Sequence, residues 1–332
     1  MFVSIIIPSY NHALYLQERI ESILNQSFQN FEVIILDDKS PDDSHKIIEK
    51  YENHPKVSHC IINKKNSGST FFQWNKGLEL AKGELIWIAE SDDIADHEFL
   101  ATLVPQFEKN PQLVLAYSQS YRMNATGEIT GTWKSQTDPL DLEYFNQDFT
   151  QDGLHYIERF LCHENTIPNA SAVLFKKDTY IKVGGAVTSL KYIGDWDIWT
   201  KIVTNGDIYF NSEPLNYFRY HDKSVIAQVQ ENLNHKKFDL EEQLIIFRKN
   251  IINSLKNNKD KTPITNIKKF YTNKLNISYK KIIKESYRKK NKAQANIYIE
   301  EFKNNITIFT LLRFNIKWWL YRILYKIKNL IE

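Results

Sequence analysis

The sequence predicts an α/β protein built on a mixed, mostly parallel sheet with helices on both faces, followed by a C-terminal helical region. Two observations carry this. Short, unbroken apolar runs rich in β-branched residues alternate with amphipathic stretches of about three turns, the pattern of a sheet covered on both sides. Charge then divides the chain: residues 231–332 hold 23 Lys and Arg against 9 Asp and Glu, a net +14, which leaves −11 for residues 1–230. Hydrophobic residues make up 42%, enough for a sizeable core and against disorder over most of the length.

Taken in order, Val3–Pro8 is a predicted buried strand. Asn11-His12 begins a turn, and Leu16, Ile20, Ile23 and Leu24 give residues 14–24 helical spacing. A second strand at residues 31–36 is closed by Asp37-Asp38-Lys39-Ser40-Pro41-Asp42, then come a helix at 44–51 and a third strand at 57–62. After Asn66-Ser67-Gly68 a helix is expected over 71–81, stopped by Lys82-Gly83, and residues 84–89 form the fourth strand. No basic leader precedes the first apolar run, so it reads as a strand rather than a signal peptide. Cys60 and Cys162 lie far apart without metal-type spacing, in keeping with a reducing, cytoplasmic setting.

The fourth strand runs Ile86-Trp87-Ile88-Ala89 into Glu90-Ser91-Asp92-Asp93. Adjacent carboxylates at a strand end are costly to hold without a positive partner. A divalent metal carrying a phosphorylated ligand is one such partner; the plainer reading is a solvated turn in which Asp92 caps a helix starting near Ala95-Asp96. In parallel sheets ligands sit beyond the carboxyl ends of the strands. That rule brings Pro8-Ser9-Tyr10-Asn11, Asp37-Asp38 and Asp92-Asp93 to one edge. Neither a Gly-x-Gly-x-x-Gly cradle nor a P-loop occurs. What remains suits a base stacked on Tyr10, a carboxylate accepting from a base N–H, and a metal on a diphosphate.

These segments resemble glycosyltransferase family 2. The likeness lies in Ser4-Ile5-Ile6-Ile7-Pro8-Ser9-Tyr10-Asn11, Ser22–Phe28, Phe31-Glu32-Val33-Ile34-Ile35-Leu36-Asp37-Asp38-Lys39-Ser40, Asn75-Lys76-Gly77 through Glu84, and Glu90-Ser91-Asp92-Asp93. It continues in Gly194-Asp195-Trp196-Asp197-Ile198-Trp199 and Tyr217-Phe218-Arg219-Tyr220-His221, and so spans about residues 3–225. The resemblance implies the GT-A fold, a Rossmann-like architecture for nucleotide-diphospho-sugars, over residues 1–228. It implies transfer of a sugar, with inversion and with UDP as the expected nucleotide, to a glycan or lipid-linked acceptor in cell-surface polysaccharide biosynthesis.

By the same resemblance Pro8 and Tyr10 form the base pocket and Asp38 binds the base. Asn11, Asn66, Gly68, Lys76 and Arg219 fall on the donor side. Asp92 and Asp93 match the metal and ribose carboxylates, with Mn²⁺ or Mg²⁺ as cofactor. Glu90 replaces the usual first Asp, which favours Asp93 as ligand and Asp92 at ribose. His221 is either a structural hydrogen-bonding residue or a group that reaches metal or diphosphate. Asp195 aligns with the catalytic base although Gly194 stands where a Glu is usual, while Asp197 is expected to point elsewhere. Residues 165–172 resemble the segment leading to the acceptor side. Trp74, Trp87 and Trp133 are core or sugar-stacking residues.

Residues 229–332 read as basic helices. In the last, 306–331, an apolar stripe with Trp318-Trp319 is broken by Arg313, Lys317, Arg322, Lys326 and Lys328. That pattern excludes a spanning helix and fits one lying on an anionic membrane surface, here the cytoplasmic face of the inner membrane; packing on protein is the other reading. Dispersed basic residues without a recognition motif, behind an acidic front, argue against nucleic acid. A nucleotide-sugar-binding protein without turnover is the competing class.

Overall fold

The structure, a computed structural model, describes residues 1–167, 169–222, 233–256 and 262–304. Among these, ten strands form one mixed sheet: β1 (Val3–Ser9), β2 (Phe31–Asp37), β3 (Val57–Ile62), β4 (Leu85–Ile88), β5 (Ile94–Ala95), β6 (Leu113–Met123), β7 (Ile129–Thr132), β8 (Phe149–Asp152), β9 (Val173–Lys176) and β10 (Asp207–Arg219). The order is β3-β2-β1-β4-β9-β6-β10-β5, with β7 on β6 and β8 on β10. Strands β3, β2, β1 and β4 pair in parallel. β9 runs antiparallel between β4 and β6, and β6 pairs in parallel with β10.

The strand periodicity of two sorts each apolar run onto two faces. Val3, Ile5, Ile7, Val33, Ile35, Leu85 and Trp87 face a core closed by α1 (Ala13–Leu24) and α4 (Phe99–Lys109). Ile6, Ile34, Leu36, Ile86 and Ile88 face the opposite core, which holds Phe71, Trp74 and Leu78 of α3 (Thr70–Leu80). α2 (Ser44–Glu49) adds Ile48 to the α1 side; α5 (Lys134–Thr137), α6 (Gly153–Tyr156) and α7 (Lys177–Lys182) are short. Burial on both faces is why β1 and β2 carry no polar alternation.

Three helices close the described chain: α9 (Leu233–Ser254), α10 (Thr262–Arg288) and α11 (Lys292–Asn304). They have their own core around Leu275, Tyr279, Ile282, Ile283 and Phe302. They also share the α3-side core, through Phe247, Ile251, Ile264, Ile267 and Tyr271, with α8 (Gly194–Val203). The last predicted helix, 306–331, lies outside the described residues, and no described helix is long and apolar enough to cross a membrane.

One local expectation changes. Residues 94–95 form strand β5 against Tyr217 and Asn216 of β10, and the helix begins only at Phe99, so Asp92 caps no helix. The Tyr217-Phe218-Arg219 segment lies at the end of the long strand β10, which starts at Asp207.

Candidate active site

Register places the site. β1 pairs with β2 from Val3↔Phe31 to Ser9↔Asp37, and with β4 from Val3↔Leu85 to Ile6↔Ile88. Tyr10, Asp38 and Glu90 therefore emerge at the same edge. Pro8 is buried near the end of β1, and Tyr10 just beyond the strand is 47% exposed, available for stacking.

Asp38 is almost fully committed within the protein. Its carboxylate accepts from Asn63 Nδ2 (2.7 Å), Gln73 Nε2 (2.8 Å), Ser67 N (2.9 Å) and Ser67 Oγ (2.7 Å). It thus fastens the 63–69 loop, where Lys76 Nζ donates to Asn63 Oδ1 (2.6 Å) and Gly68 N to Asn66 Oδ1 (2.6 Å). Gly68 has φ +79°, a left-handed turn that suits glycine. The structure brings Asp38, after β2, and Lys76, on α3, against the loop that carries Asn66 and Gly68. Asn11 also has φ +60°, with its N–H on Ser40 Oγ (2.9 Å). This turn delivers the next residue, His12, to the strand-end carboxylates.

The carboxylates after β4 have different surroundings. Glu90 is held by the indole N–H of Trp74 (2.9 Å) and by Thr70 Oγ1 (3.4 Å), and its own N–H donates to Ser171 Oγ (3.1 Å). Burial, then the charge of Asp92, pushes it up to about 8. Asp93 is turned inward, 1% exposed, and Oδ1 accepts from the backbone N–H of Arg219 (2.9 Å). Burial, then Asp92, pushes it up to about 7, against the opposing charge of Arg19. Arg19 is fully buried over the Trp87 ring at 5.0 Å, and burial brings it down to about 10.

Asp92 faces two imidazoles. Its Oδ2 lies 3.0 Å from His221 Nε2 and 3.9 Å from His12 Nε2. Burial opposes its charge, but His12 and His221 outweigh that and hold Asp92 below the usual carboxylate range. Donor atoms of His12, Asp92 and His221 all lie within 4.8 Å of one another. Two imidazoles and a carboxylate at this spacing fit a divalent ion, whose ligands stand about 2.0–2.2 Å from it. Arg219 is occupied: Nε donates to Asp92 O (2.8 Å), NH2 to Glu18 Oε2 (2.6 Å), and the guanidinium lies over Tyr15 at 4.6 Å. It fastens β10 to the acidic turn.

Asp195 stands in the first turn of α8, and its Oδ1 accepts from Trp196 N (2.8 Å) while Oδ2 accepts from Asn165 Nδ2 (3.1 Å). Burial raises its carboxyl to about 6. It lines a cleft of about 220 Å³ with Trp133, Gln136, Asn165, Tyr192, Ile193 and Trp196. Asp197 points the other way: it is fully buried, paired with Lys201 Nζ (3.0 Å) and accepting from Asn250 Nδ2 (2.9 Å) of α9. Trp74 and Trp87 are core, whereas Trp133 is a cleft wall. His12, Arg19, Gln136 and Tyr192 were not legible as site residues. His12 offered one signal, its place directly after the Pro8–Asn11 strand end.

The model of the family described as glycosyl transferase family 2 matches residues 4–172. Glycosyltransferase GlyG of Streptococcus pneumoniae is 37% identical over 123 residues, 36% of this chain and 40% of that protein. Hyaluronan synthase of Pasteurella multocida is 26% identical over 300 residues, 84% of this chain and 30% of that protein. The chain thus spans less than half the length of these two relatives. In fold it resembles S. aureus TarS 1–349 in complex with UDP-GlcNAc, with a TM-score of 0.64, 17% identity and 93% of each chain covered. With half the sequence under the family model, the chain belongs to glycosyl transferase family 2.

Proposed function

We propose that this chain transfers a sugar from a nucleotide-diphospho-sugar, UDP-linked by analogy with the TarS complex, to a hydroxyl of a glycan or lipid-linked acceptor, with inversion. The setting is the building of a cell-surface polysaccharide, as the name of the hyaluronan synthase relative suggests. One observation carries the reading. A single carboxylate, Asp195, with a pKa raised by burial to about 6, stands in an aromatic-walled cleft of monosaccharide scale.

A base with that pKa is ionised at neutral pH and still basic enough to accept the acceptor hydroxyl's proton as the oxygen attacks the anomeric carbon. Asn165 and Trp196 N hold the carboxylate in place, and Trp133, Tyr192 and Trp196 give the cleft the aromatic lining that suits a sugar ring. Tyr10 stacks on the base of the donor, with Pro8 behind it, and the Asp38-fastened loop bearing Asn66 and Gly68, with Lys76 of α3 against it, borders the nucleotide. Asp92 and His221 would hold the divalent metal, with Asp93 as the buried charge behind them. Bound there, Mn²⁺ or Mg²⁺ would neutralise charge developing on the diphosphate.

Residues 1–228 form the catalytic unit in this proposal. The basic 229–332 region brings it to the cytoplasmic face of the membrane, its 306–331 stretch supplying the contact. Vesicle flotation with and without residues 306–332 checks that part; unchanged partitioning would remove it. For the reaction, a panel of UDP-, GDP- and dTDP-sugars is assayed for hydrolysis and transfer with and without Mn²⁺. Turnover of one donor, abolished by Asp195→Asn without loss of nucleotide binding, is the expected result. Wild-type transfer by Asp195→Asn would overturn the assignment of the base.

A further inference from the structure

We propose that His12 is a second imidazole ligand beside His221. The two rings and Asp92 then form a two-nitrogen, one-oxygen set that selects a transition ion of the Mn²⁺ type over Mg²⁺. The inference rests on the reading that Asp92 and His221 hold the divalent metal.

The backbone delivers His12 to this place. Asn11, at φ +60°, reverses the chain after β1, and the turn is pinned by Asn11 N on Ser40 Oγ (2.9 Å) and by Ala13 N on Asp42 Oδ2 (2.9 Å). His12 follows as the residue that opens α1. Its Nδ1 lies 2.8 Å from Ser91 Oγ, the residue immediately before Asp92. The tautomer that donates Nδ1–H to Ser91 leaves the lone pair on Nε2, and Nε2 is the atom 3.9 Å from Asp92 Oδ2.

The same carboxylate oxygen is 3.0 Å from Nε2 of His221. The two imidazoles meet edge to face, with centroids 5.2 Å apart and planes at 86°, and with both Nε2 atoms turned to one oxygen. Three donors within 4.8 Å of one another bracket the spacing of about 3–4 Å that ligands keep around an ion with bonds near 2.1 Å. Oxygen ligands alone do not separate Mg²⁺ from Mn²⁺. Two imidazoles do, because Mg²⁺ takes oxygen and sheds water reluctantly, while nitrogen ligands add affinity along the first transition series, of which Mn²⁺ is the weakest-binding member. Ser91 acts as a positioning residue that sets the ring's tautomer.

The test uses the full chain, stripped with chelator and titrated with Mn²⁺ alone and with Mn²⁺ plus UDP. Pulsed electron paramagnetic resonance counts the imidazole nitrogens on bound Mn²⁺. The expected result is two in the wild type, one in His12→Gln and one in His221→Gln. His12→Gln should weaken Mn²⁺ binding by roughly ten- to a hundred-fold and Mg²⁺ binding far less, so that the preference for Mn²⁺ narrows. Ser91→Ala should weaken Mn²⁺ in the same direction while both nitrogens remain. A single nitrogen in the wild type, lost only in His221→Gln, overturns this inference and leaves the metal reading standing. No Mn²⁺ binding with or without UDP overturns both. The wild-type nitrogen count decides the matter even if a variant folds poorly.

Discussion

The ring of Phe71 occupies the space in which a side chain on residue 194 would begin: a Cβ built on Gly194 would stand 2.4 Å from Phe71 Cε2. The family resemblance leads one to expect Glu at this position, and here the aromatic packing of α3 against the start of α8 leaves no room for it. Gly194→Ala is therefore expected to cost about 1–3 kcal/mol through overpacking. Phe71→Ala in the same chain should relieve the clash, giving a non-additive pair in thermal melts. Simple additivity would show that something other than this contact keeps residue 194 small.

Asp195 links activity and stability with opposite signs. Its folded pKa of about 6 lies above the ordinary 3.8, so the native state binds more protons than the unfolded state between those values. Stability therefore declines as pH rises through that window, while the ionised base needed for transfer appears across its upper part. Transfer should fall as pH drops through about 6. Asp195→Asn should lose about 10²- to 10⁴-fold in transfer yet melt higher at pH 7.5, by about 1–2 kcal/mol once cleft exposure is discounted. The stabilisation should vanish below pH 4; a gain independent of pH would contradict the linkage.

The order of strands and helices was readable because β1, β2 and β4 are buried on both faces, which forces continuous apolar runs. The gathering of Tyr10, Asp38 and Asp92 at one edge followed from the carboxyl-end rule alone. The different surroundings of Asp92 and Asp93 did not, since they depend on which way each side chain turns at the strand end. His12 was hidden for a related reason: only the positive φ of Asn11 brings a turn residue back over Ser91. The role of α9 was equally hidden, because Phe247 and Asn250 meet Trp196 and Asp197 across more than 50 residues of chain, as the Asn250–Asp197 bond does.

The two adjacent aspartates should separate by phenotype. Asp92→Asn is expected to abolish metal-dependent UDP binding, measured by thermal shift with and without Mn²⁺, while the metal-free melt changes little. Asp93→Ala removes the acceptor for Arg219 N–H and a counter-charge from the buried Arg19. Leaving a buried charge uncompensated costs about 3–5 kcal/mol. Arg19→Met on the Asp93→Ala background should recover part of that loss. Equal loss of metal response in both variants, with unchanged melts, would instead make Asp93 a ligand as well.

The helical region should reach the chemistry through Trp196. One side of this indole lines the cleft, its N–H donates to Leu161 O (3.0 Å), and its ring packs on Phe247 with centroids 4.8 Å apart. Phe247 is 1% exposed and also meets Tyr271 at 5.5 Å, so α9 and α10 together back the cleft wall. Phe247→Ala is expected to cost about 3–5 kcal/mol in stability. Below its melting point it should raise KM for the acceptor several-fold while KM for the donor holds, because no hydrogen bond or ring contact among the described residues joins Tyr10 or Asp38 to α9. Phe247→Leu, which keeps most of the volume, should restore the acceptor KM. Equal rises in both KM values would mean that α9 steadies the whole sheet edge rather than the Trp196 wall.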